Sequence, residues 1–185
     1  MEGRYANHAV DIECGFVRRK TVNPLARLER VFHSLARWTD AQRKAFDTVF
    51  FNQERTCLVS MPRHSGRTTL LAGMAAAYLV AYGPGASVAL LSVAPSFATR
   101  LLQKVVDMLG DAFLPWMRKN AFLLRTTDRR RVQSLYCRDV GHIGLDTTLV
   151  LVDDACYMAT ITSRLKEVVG KLPKTARVCI VGESD

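Results

Sequence analysis

Four short segments of continuously apolar sequence limit the possible folds of this chain more than any other feature. Between them lie segments whose apolar residues recur at helical spacing, and polar loops. Uninterrupted apolar strands that alternate with helices indicate a parallel sheet covered on both faces. The predicted strands are Thr56–Met61, Ser87–Val93, Thr148–Val152 and Ala176–Val181. We therefore predict an α/β fold, a three-layer sandwich with a mostly parallel central sheet, whose ligands bind beyond the carboxyl ends of the strands.

The rest of the pattern predicts one domain over residues 24–185, preceded by a loosely ordered arm over residues 1–23. Apolar residues recur at three- and four-residue spacing after Pro24, which indicates an amphipathic N-terminal helix. Thr39 and Gln42 have the spacing of a capping box, so a second helix should begin there and extend to about residue 50. Further helices are predicted near residues 68–82, near 96–109 with Ser96 as the cap, and near 160–169, with a hairpin around residues 128–130.

Charge and cysteine content indicate which partners and which cellular compartment suit the protein. Lys and Arg number 26 against 17 Asp and Glu, a formal charge of +9 that favours a polyanionic partner, although a solvated basic face gives the same balance. The five cysteines include no Cys-x-x-Cys pair, which favours a reducing compartment over a disulfide framework or a zinc site. No apolar leader is visible, and the longest apolar run, Leu70–Tyr82, is too short to cross a bilayer. We expect a soluble intracellular protein.

The loop after the first predicted strand has the composition of a phosphate-binding loop. It runs Met61-Pro62-Arg63-His64-Ser65-Gly66-Arg67-Thr68 and leads directly into a helix. In such loops the backbone N–H groups and the helix N-terminus bind an anion. Gly66 allows close backbone approach, and Thr68 can offer its hydroxyl to Mg²⁺. The general pattern has Gly at position 61 and Lys at position 67, so the loop alone is equally compatible with an ordinary strand-to-helix turn.

An acidic pair follows the third apolar strand. Asp153 and Asp154 occupy the place of Walker B carboxylates, of which the first serves Mg²⁺ and the second orients the attacking water. A surface pair that caps the next element would look the same, but the order of loop, strand and acids favours a nucleotide site. Upstream of the loop, the amide of Gln42 can either pair with an adenine edge or serve only as a helix cap.

Together these segments resemble the ATPase domain of terminase large subunits, the DNA-packaging motors of tailed phages and herpesviruses, and the herpesvirus type most closely. The segment VSMPRHSGRTT is similar to the family's loop, apolar-Pro-Arg-x-x-Gly-Lys-Ser/Thr. GLDTTLVLVDDACYM is similar to the Walker B region, and ARVCIVGESD is similar to the strand and coupling motif that follow it. The resemblance covers roughly residues 35–185 and implies a P-loop NTPase fold of the ASCE type with an N-terminal helical segment.

The resemblance also implies a ligand set and partners. ATP and Mg²⁺ would be bound, with the metal at Thr68 and Asp153, catalysis by Asp154 and Arg63, and coupling through Ser184. The implied nucleotide-binding residues are Pro62, Arg63, His64, Ser65, Gly66, Arg67, Thr68 and Gln42. Double-stranded DNA, other terminase subunits, the capsid portal and further copies in a ring are the expected partners, without a membrane. The expected location is the host nucleus for a herpesvirus-like protein and the host cytoplasm otherwise. Because the sequence stops just past the coupling motif, we expect an ATPase domain or a fragment of one, without the family's C-terminal nuclease domain.

Three departures from the family pattern concern turnover more than fold. Arg67 replaces the family's Lys, Asp154 replaces its Glu, and Ile143 stands where the family often has Arg. We therefore expect slow or undetectable ATP hydrolysis. Two alternatives stay open: a degenerate assembly subunit, favoured by these replacements, and a helicase fragment, since Trp38–Gln42 before the loop also suits that class. The basic residues around the predicted hairpin either contact DNA phosphates or are simply solvated; they are Arg118, Lys119, Arg125, Arg129, Arg130 and Arg131.

Overall fold

The computed structural model describes residues 23–62, 64–111, 117–153 and 159–183. The helices in these ranges are α1 (Pro24–Leu35), α2 (Asp40–Phe51), α3 (Arg67–Tyr82), α4 (Pro95–Leu109) and α5 (Ala159–Lys171), with a 3₁₀ segment at Cys137–His142. The strands are β1 (Thr56–Met61), β2 (Ser87–Ser92), β3 (Met117–Lys119), β4 (Leu123–Thr126), β5 (Arg131–Tyr136), β6 (Leu149–Asp153) and β7 (Arg177–Glu183). The predicted arm lies outside the described residues, apart from Asn23, which caps α1.

One mostly parallel sheet organises the described part of the chain. Its strand order is β1-β7-β6-β2-β5-β4-β3. The first five strands in this order run parallel, and β4 and β3 continue the sheet as antiparallel strands. β7 lies between β1 and β6, so one additional strand separates the loop strand from the acid strand, as in an ASCE-type sheet. The phosphate-type loop and Asp153 therefore lie at the same edge of the sheet.

Helices cover both faces of the sheet and produce two apolar cores. The larger core joins α1, α2, α3 and α4 to one face, and its deepest part is α3, which is buried along nearly its whole length. The smaller core joins α5 and the 3₁₀ segment to the other face. β2 is buried at all six positions because it has packed helices on both sides. The predicted three-layer α/β fold is confirmed.

The predicted elements agree with the structure, with two corrections. All four apolar runs are strands, shifted by no more than two residues at either end, and the hairpin joins β4 to β5. The capping box is complete, since Thr39 and Gln42 bond reciprocally. Ser96, however, is not a cap: α4 begins at Pro95 and its N-cap is Ala94, because proline is well suited to a first helical position. The prediction also missed β3, whose three residues are too few for a recognisable period.

A stack of aromatic rings fixes the N-terminal helices on α3. Phe32 lies between Trp38 and Phe46, at ring distances of 4.2 and 4.0 Å. The indole Nε1 of Trp38 donates to the Phe32 carbonyl at 2.6 Å. The rim of this indole lies so close to Gly73 that a Cβ built there would be 2.3 Å from Trp38 Cη2. α3 therefore needs glycine at position 73 for close packing.

Two half-buried arginines bond carbonyl groups at and just beyond helix ends. Arg55 donates to the carbonyl of Val169 in the last turn of α5 and to those of Leu172, Pro173 and Ala176 in the turn that follows it. Arg177 donates to the carbonyls of Val49 and Asn52 at the end of α2. A guanidinium suits this position because it satisfies several carbonyls and lies at the negative end of the helix dipole. Part of the positive charge of the chain is thus structural.

Candidate nucleotide site

The loop after β1 has the backbone shape of an anion-binding turn. His64 and Gly66 both have left-handed backbone conformations, with φ of 58° and 81°. Ser65 N donates to the Pro62 carbonyl at 3.3 Å, which closes the turn before α3 begins at Arg67. Gly66 is the N-cap and offers no side-chain cap, so the first N–H groups of α3 have no such partner. These donors and the helix dipole favour an anion at this position.

The first turn of α3 meets the end of β6. Thr68 Oγ1 donates to Asp153 Oδ2 at 3.5 Å, across 85 positions of sequence. Asp153 is 8% exposed, so its carboxylate is held in place at the sheet edge. Adjacent oxygen ligands of an octahedral Mg²⁺ are roughly 2.9 Å apart, given bonds of about 2.0–2.1 Å. A small side-chain shift would let both oxygens enter one coordination shell.

The chemistry of these donors fits Mg²⁺ bound together with a nucleotide. Mg²⁺ usually takes one or two protein oxygens and completes its shell with water and phosphate oxygens. Within the described residues there is no group of three or more His, Cys, Asp and Glu side chains that could hold a metal alone. Ser65 Oγ is also buried in the loop and has no hydrogen-bond partner among the described residues, so it can donate to a phosphate. Thr68 and Asp153 are therefore suited to a metal that arrives with its phosphates.

Gln42 connects α2 to the loop. Its amide Nε2 donates to the carbonyls of Ser65 and Gly66 at 3.2 and 3.3 Å, while its Oε1 accepts from Thr39 N at 3.0 Å. The bond to Oε1 is the one that the capping alternative predicts, and both amide hydrogens are used by the loop carbonyls. Pairing with an adenine edge would require these two bonds to break. In this arrangement Gln42 positions the loop.

A neutral thiol lies beside the acid of the site. The Sγ of Cys137 donates to the Ser92 carbonyl at 2.8 Å, at the end of the strand next to β6. Burial, together with the nearby carboxylate of Asp153, raises the pKa of Cys137 to about 12. The thiol therefore stays protonated at neutral pH and adds no charge beside Asp153.

Three predicted site residues, Arg63, Asp154 and Ser184, lie outside the described residues. Pro62 and His64 are exposed in the loop, whereas Arg67 and Thr68 are half-buried at the start of α3. Ile143, in place of the family's arginine, is 4% exposed and packs in the smaller core. The apolar residue thus has a structural use there.

The structure adds two residues that the sequence analysis missed. Glu183 ends β7, with its Cα in register with Met61. Its backbone position is therefore between the loop strand and the acid strand. The strand prediction stopped at residue 181, so this acid was passed over. Lys104, on α4, donates to Thr69 Oγ1 at 2.7 Å and places an ammonium beside the first turn of α3. No local pattern marks Lys104, because only tertiary packing brings α4 to this turn.

The sheet order, the loop at the end of β1 and the acid at the end of β6 define the fold as that of P-loop ATPase domains. No protein-family model matches the chain, and no curated protein matches it.

Three solved structures show which ATPases this chain is similar to. The large terminase of bacteriophage HK97 is similar at a TM-score of 0.72 and 14% identity, over 85% of this chain and 37% of that protein. The large terminase ATPase domain of Thermus phage P74-26 follows at 0.59 and 13% identity, over 82% of this chain and 67% of that one. A DEAD box protein from Methanococcus jannaschii is similar at 0.56 and 13% identity, over 92% of this chain and 50% of that one. The chain has a terminase-like ATPase fold and spans little more than a third of the HK97 protein's length.

None of the described helices is long and apolar enough to span a membrane.

Proposed function

We propose that this chain is the ATP-binding unit of a viral DNA-packaging motor of the terminase type. The observation that carries the proposal is the contact between Thr68 on the loop helix and Asp153 at the end of β6. It brings a phosphate-type loop and a metal-type carboxylate to one sheet edge, as nucleotide binding with Mg²⁺ requires. The likeness to large terminases supports a packaging role over other uses of the fold.

In the proposed reaction the protein acts mainly by position and charge. The loop N–H groups and Ser65 Oγ would hold the phosphates. Thr68 and Asp153 would hold Mg²⁺, which would supply positive charge to neutralise the phosphate oxygens. Arg63 stabilises the transferred phosphoryl group, and Asp154 orients the attacking water. Ser184 couples hydrolysis to movement of double-stranded DNA toward the portal, within a ring of copies. The herpesvirus type and a host-nuclear location belong to the same proposal and rest on the sequence resemblance over roughly residues 35–185.

Turnover is expected to be slow, because two residues differ from the family pattern. Arg67 has the charge of lysine, but its planar fork is wider than an ammonium and must sit differently over the phosphates. Asp154 is one methylene shorter than glutamate, which displaces the water it orients. A loss of only about 1.4 kcal/mol in transition-state stabilisation slows the reaction tenfold.

The test is ATP turnover by the purified chain with duplex DNA, preceded by a nucleotide titration. We expect binding with little turnover, and a rate at least ten times higher in the Arg67→Lys, Asp154→Glu double variant. Arg67→Lys alone and Asp154→Glu alone show which replacement matters. A natural chain that already matches its double variant would show that the loop compensates and that hydrolysis is intact. A chain that binds no nucleotide would refute the proposal and favour an assembly subunit without ATPase activity.

A helicase unit is the second candidate, favoured by the likeness to the DEAD box protein over 92% of this chain. A strand-displacement assay separates the two. ATP-dependent release of a labelled strand from a short duplex supports the helicase. ATPase activity stimulated by long duplex DNA without strand release supports the packaging motor.

A further inference from the structure

Three arginines lie side by side across the antiparallel end of the sheet. Arg118 on β3 is in register with Arg125 on β4, and Arg125 is in register with Arg131 on β5. Residues opposite one another on neighbouring strands share a face and have Cα atoms about 4.5–5.5 Å apart. The three residues form one row, here called the arginine row, about 10 Å long given a strand spacing of about 4.8 Å.

The arginine row lies on the face of the sheet away from α4. Leu124 and Val132, which flank it on β4 and β5, are fully buried in the larger core. Because successive residues of a strand point to opposite faces, Arg125 and Arg131 point to the other side. Arg118 and Arg125 are exposed there. Solvent and partners can therefore reach the row.

The exposed part of the arginine row destabilises the folded chain. Like charges directly opposite one another on neighbouring strands are destabilising. Arg131 is compensated by an ion pair with Asp146 and a bond to Ser87 Oγ at 2.7 Å. Arg118 and Arg125 form no hydrogen bond or ion pair with any other described residue. They differ in this from Arg55 and Arg177, which bond helix carbonyls. A structural role explains Arg55 and Arg177 but not the two exposed members of the row.

The adjoining turn adds to the positive charge. Arg129 lies next to this end of β5 and is exposed, with a left-handed φ of 69°. Arg130 beside it is paired with Asp128 at 2.7 Å. This turn and the row are at the edge of the sheet opposite the candidate nucleotide site, because β5 begins at Arg131 and parallel strands carry that site at their other ends. The row is therefore a surface separate from the ATP-binding loop.

We propose that the arginine row binds the phosphate backbone of duplex DNA. Guanidinium groups pair with phosphates through two parallel hydrogen bonds, and phosphates recur every 3.4 Å of helix rise along each strand. A bound backbone removes the repulsion between Arg118 and Arg125. That the row binds phosphate follows from the arrangement above, whereas the choice of duplex DNA rests on the proposed function. The contacts are to the backbone and carry no sequence preference.

The experiment measures binding of a labelled random-sequence duplex by fluorescence anisotropy, on the full chain, at several salt concentrations. The test variant is Arg118→Gln, Arg125→Gln. The matched control is Arg27→Gln, Arg30→Gln, which removes the same charge from the exposed face of α1. Each lost phosphate contact reduces the steepness with which log K falls against log salt by about 1. We therefore expect the salt dependence of the test variant to be shallower by about 2. The control should lose less than half as much.

Thermal melting of the same proteins separates binding from folding. If the arginine row binds DNA, the melting temperature of the test variant equals or exceeds that of the natural chain, because the repulsion between Arg118 and Arg125 has been removed. A lower melting temperature would show that these arginines are structural and would overturn the proposal. So would an unchanged salt slope, an equal loss in the control, or a natural chain that does not bind the duplex.

Nucleotide titration of the test variant distinguishes the two proposals. Normal nucleotide binding with lost DNA binding is the expected result. If the natural chain binds DNA through the row but no nucleotide, the proposed ATPase function fails while this inference stands.

Discussion

Replacing Gly66 with alanine tests how the nucleotide loop is held. The backbone at Gly66 is left-handed, and a Cβ built there would be 2.6 Å from Gln42 Nε2. Gln42 cannot move away at no cost, because it is 6% exposed and its Oε1 is bonded to Thr39 N. Alanine in this conformation costs about 1–2 kcal/mol. Loss of the two Gln42 bonds to the loop costs about 0.5–1.5 kcal/mol each, so we expect a total of roughly 2–5 kcal/mol.

The assay is urea unfolding in a double-mutant cycle with Gln42→Ala. Once Gln42 is truncated, Gly66→Ala should cost only the backbone strain, so the two changes should be non-additive by about 1–3 kcal/mol. Gly85→Ala is the control for strain alone, since Gly85 has a φ of 83° and nothing lies within 4 Å of its Cβ position. Equal costs of Gly66→Ala in both backgrounds, or a cost no larger than that of Gly85→Ala, would show that the bonds from Gln42 do not hold the loop.

Two further predictions concern packing and thiol chemistry. Gly73→Ala should lower the free energy of unfolding by about 1–3 kcal/mol, because the new methyl would overlap Trp38. Gly170→Ala on α5 is the control, because a Cβ there meets nothing within 4 Å; it should raise the free energy of unfolding by up to about 1 kcal/mol. Equal effects of the two substitutions in urea melts would contradict the packing account. Burial raises the pKa of both Cys137 and Cys179 to about 12, so iodoacetamide at pH 8 should spare both in peptide maps of the folded protein. Unfolded thiols ionise near pH 9, so their contribution to stability is present below pH 9 and is lost as the pH rises toward 12. Labelling of either thiol at pH 8 without unfolding would show that it is not buried.

Local pattern was enough to predict the elements that carry the site. Continuous apolar runs mark buried parallel strands, and the Thr39–Gln42 spacing marks a helix start, because both depend on neighbours in sequence. Because the carboxyl ends of parallel strands lie at one edge of a sheet, the meeting of Thr68 with Asp153 could also be expected from the sequence.

Contacts between distant segments could not be predicted in this way. The fit of Trp38 against Gly73 and the bonds from Arg55 to the end of α5 depend on packing between segments far apart in sequence. Gln42 shows the limit most clearly. Its capping role was predictable from the spacing, but its hydrogen bonds to the loop depend on how α2 packs beside β1. Glu183 was missed for a related reason, since a strand's length is set by its partners.

The contributions of Asp154 and Glu183 to turnover can be compared by substitution. Glu183 is positioned by its backbone between the loop strand and the acid strand, and Asp154 follows Asp153 in sequence. If Asp154 orients the water, then in the Arg67→Lys background Asp154→Asn should lower turnover more than Glu183→Gln does. A larger loss with Glu183→Gln would assign that role to the end of β7.

The most direct test of the nucleotide site is the Mg²⁺ dependence of ATP binding to the natural chain and to Asp153→Asn. A fluorescent ATP analogue is titrated with and without Mg²⁺, and Asp47→Asn, an exposed acid on α2, is the control. We expect Mg²⁺ to strengthen binding to the natural chain and to the control. Asp153→Asn should lose that gain and keep the metal-independent part, which comes from the loop. A full Mg²⁺ effect in Asp153→Asn, or no nucleotide binding by the natural chain, would contradict the assignment.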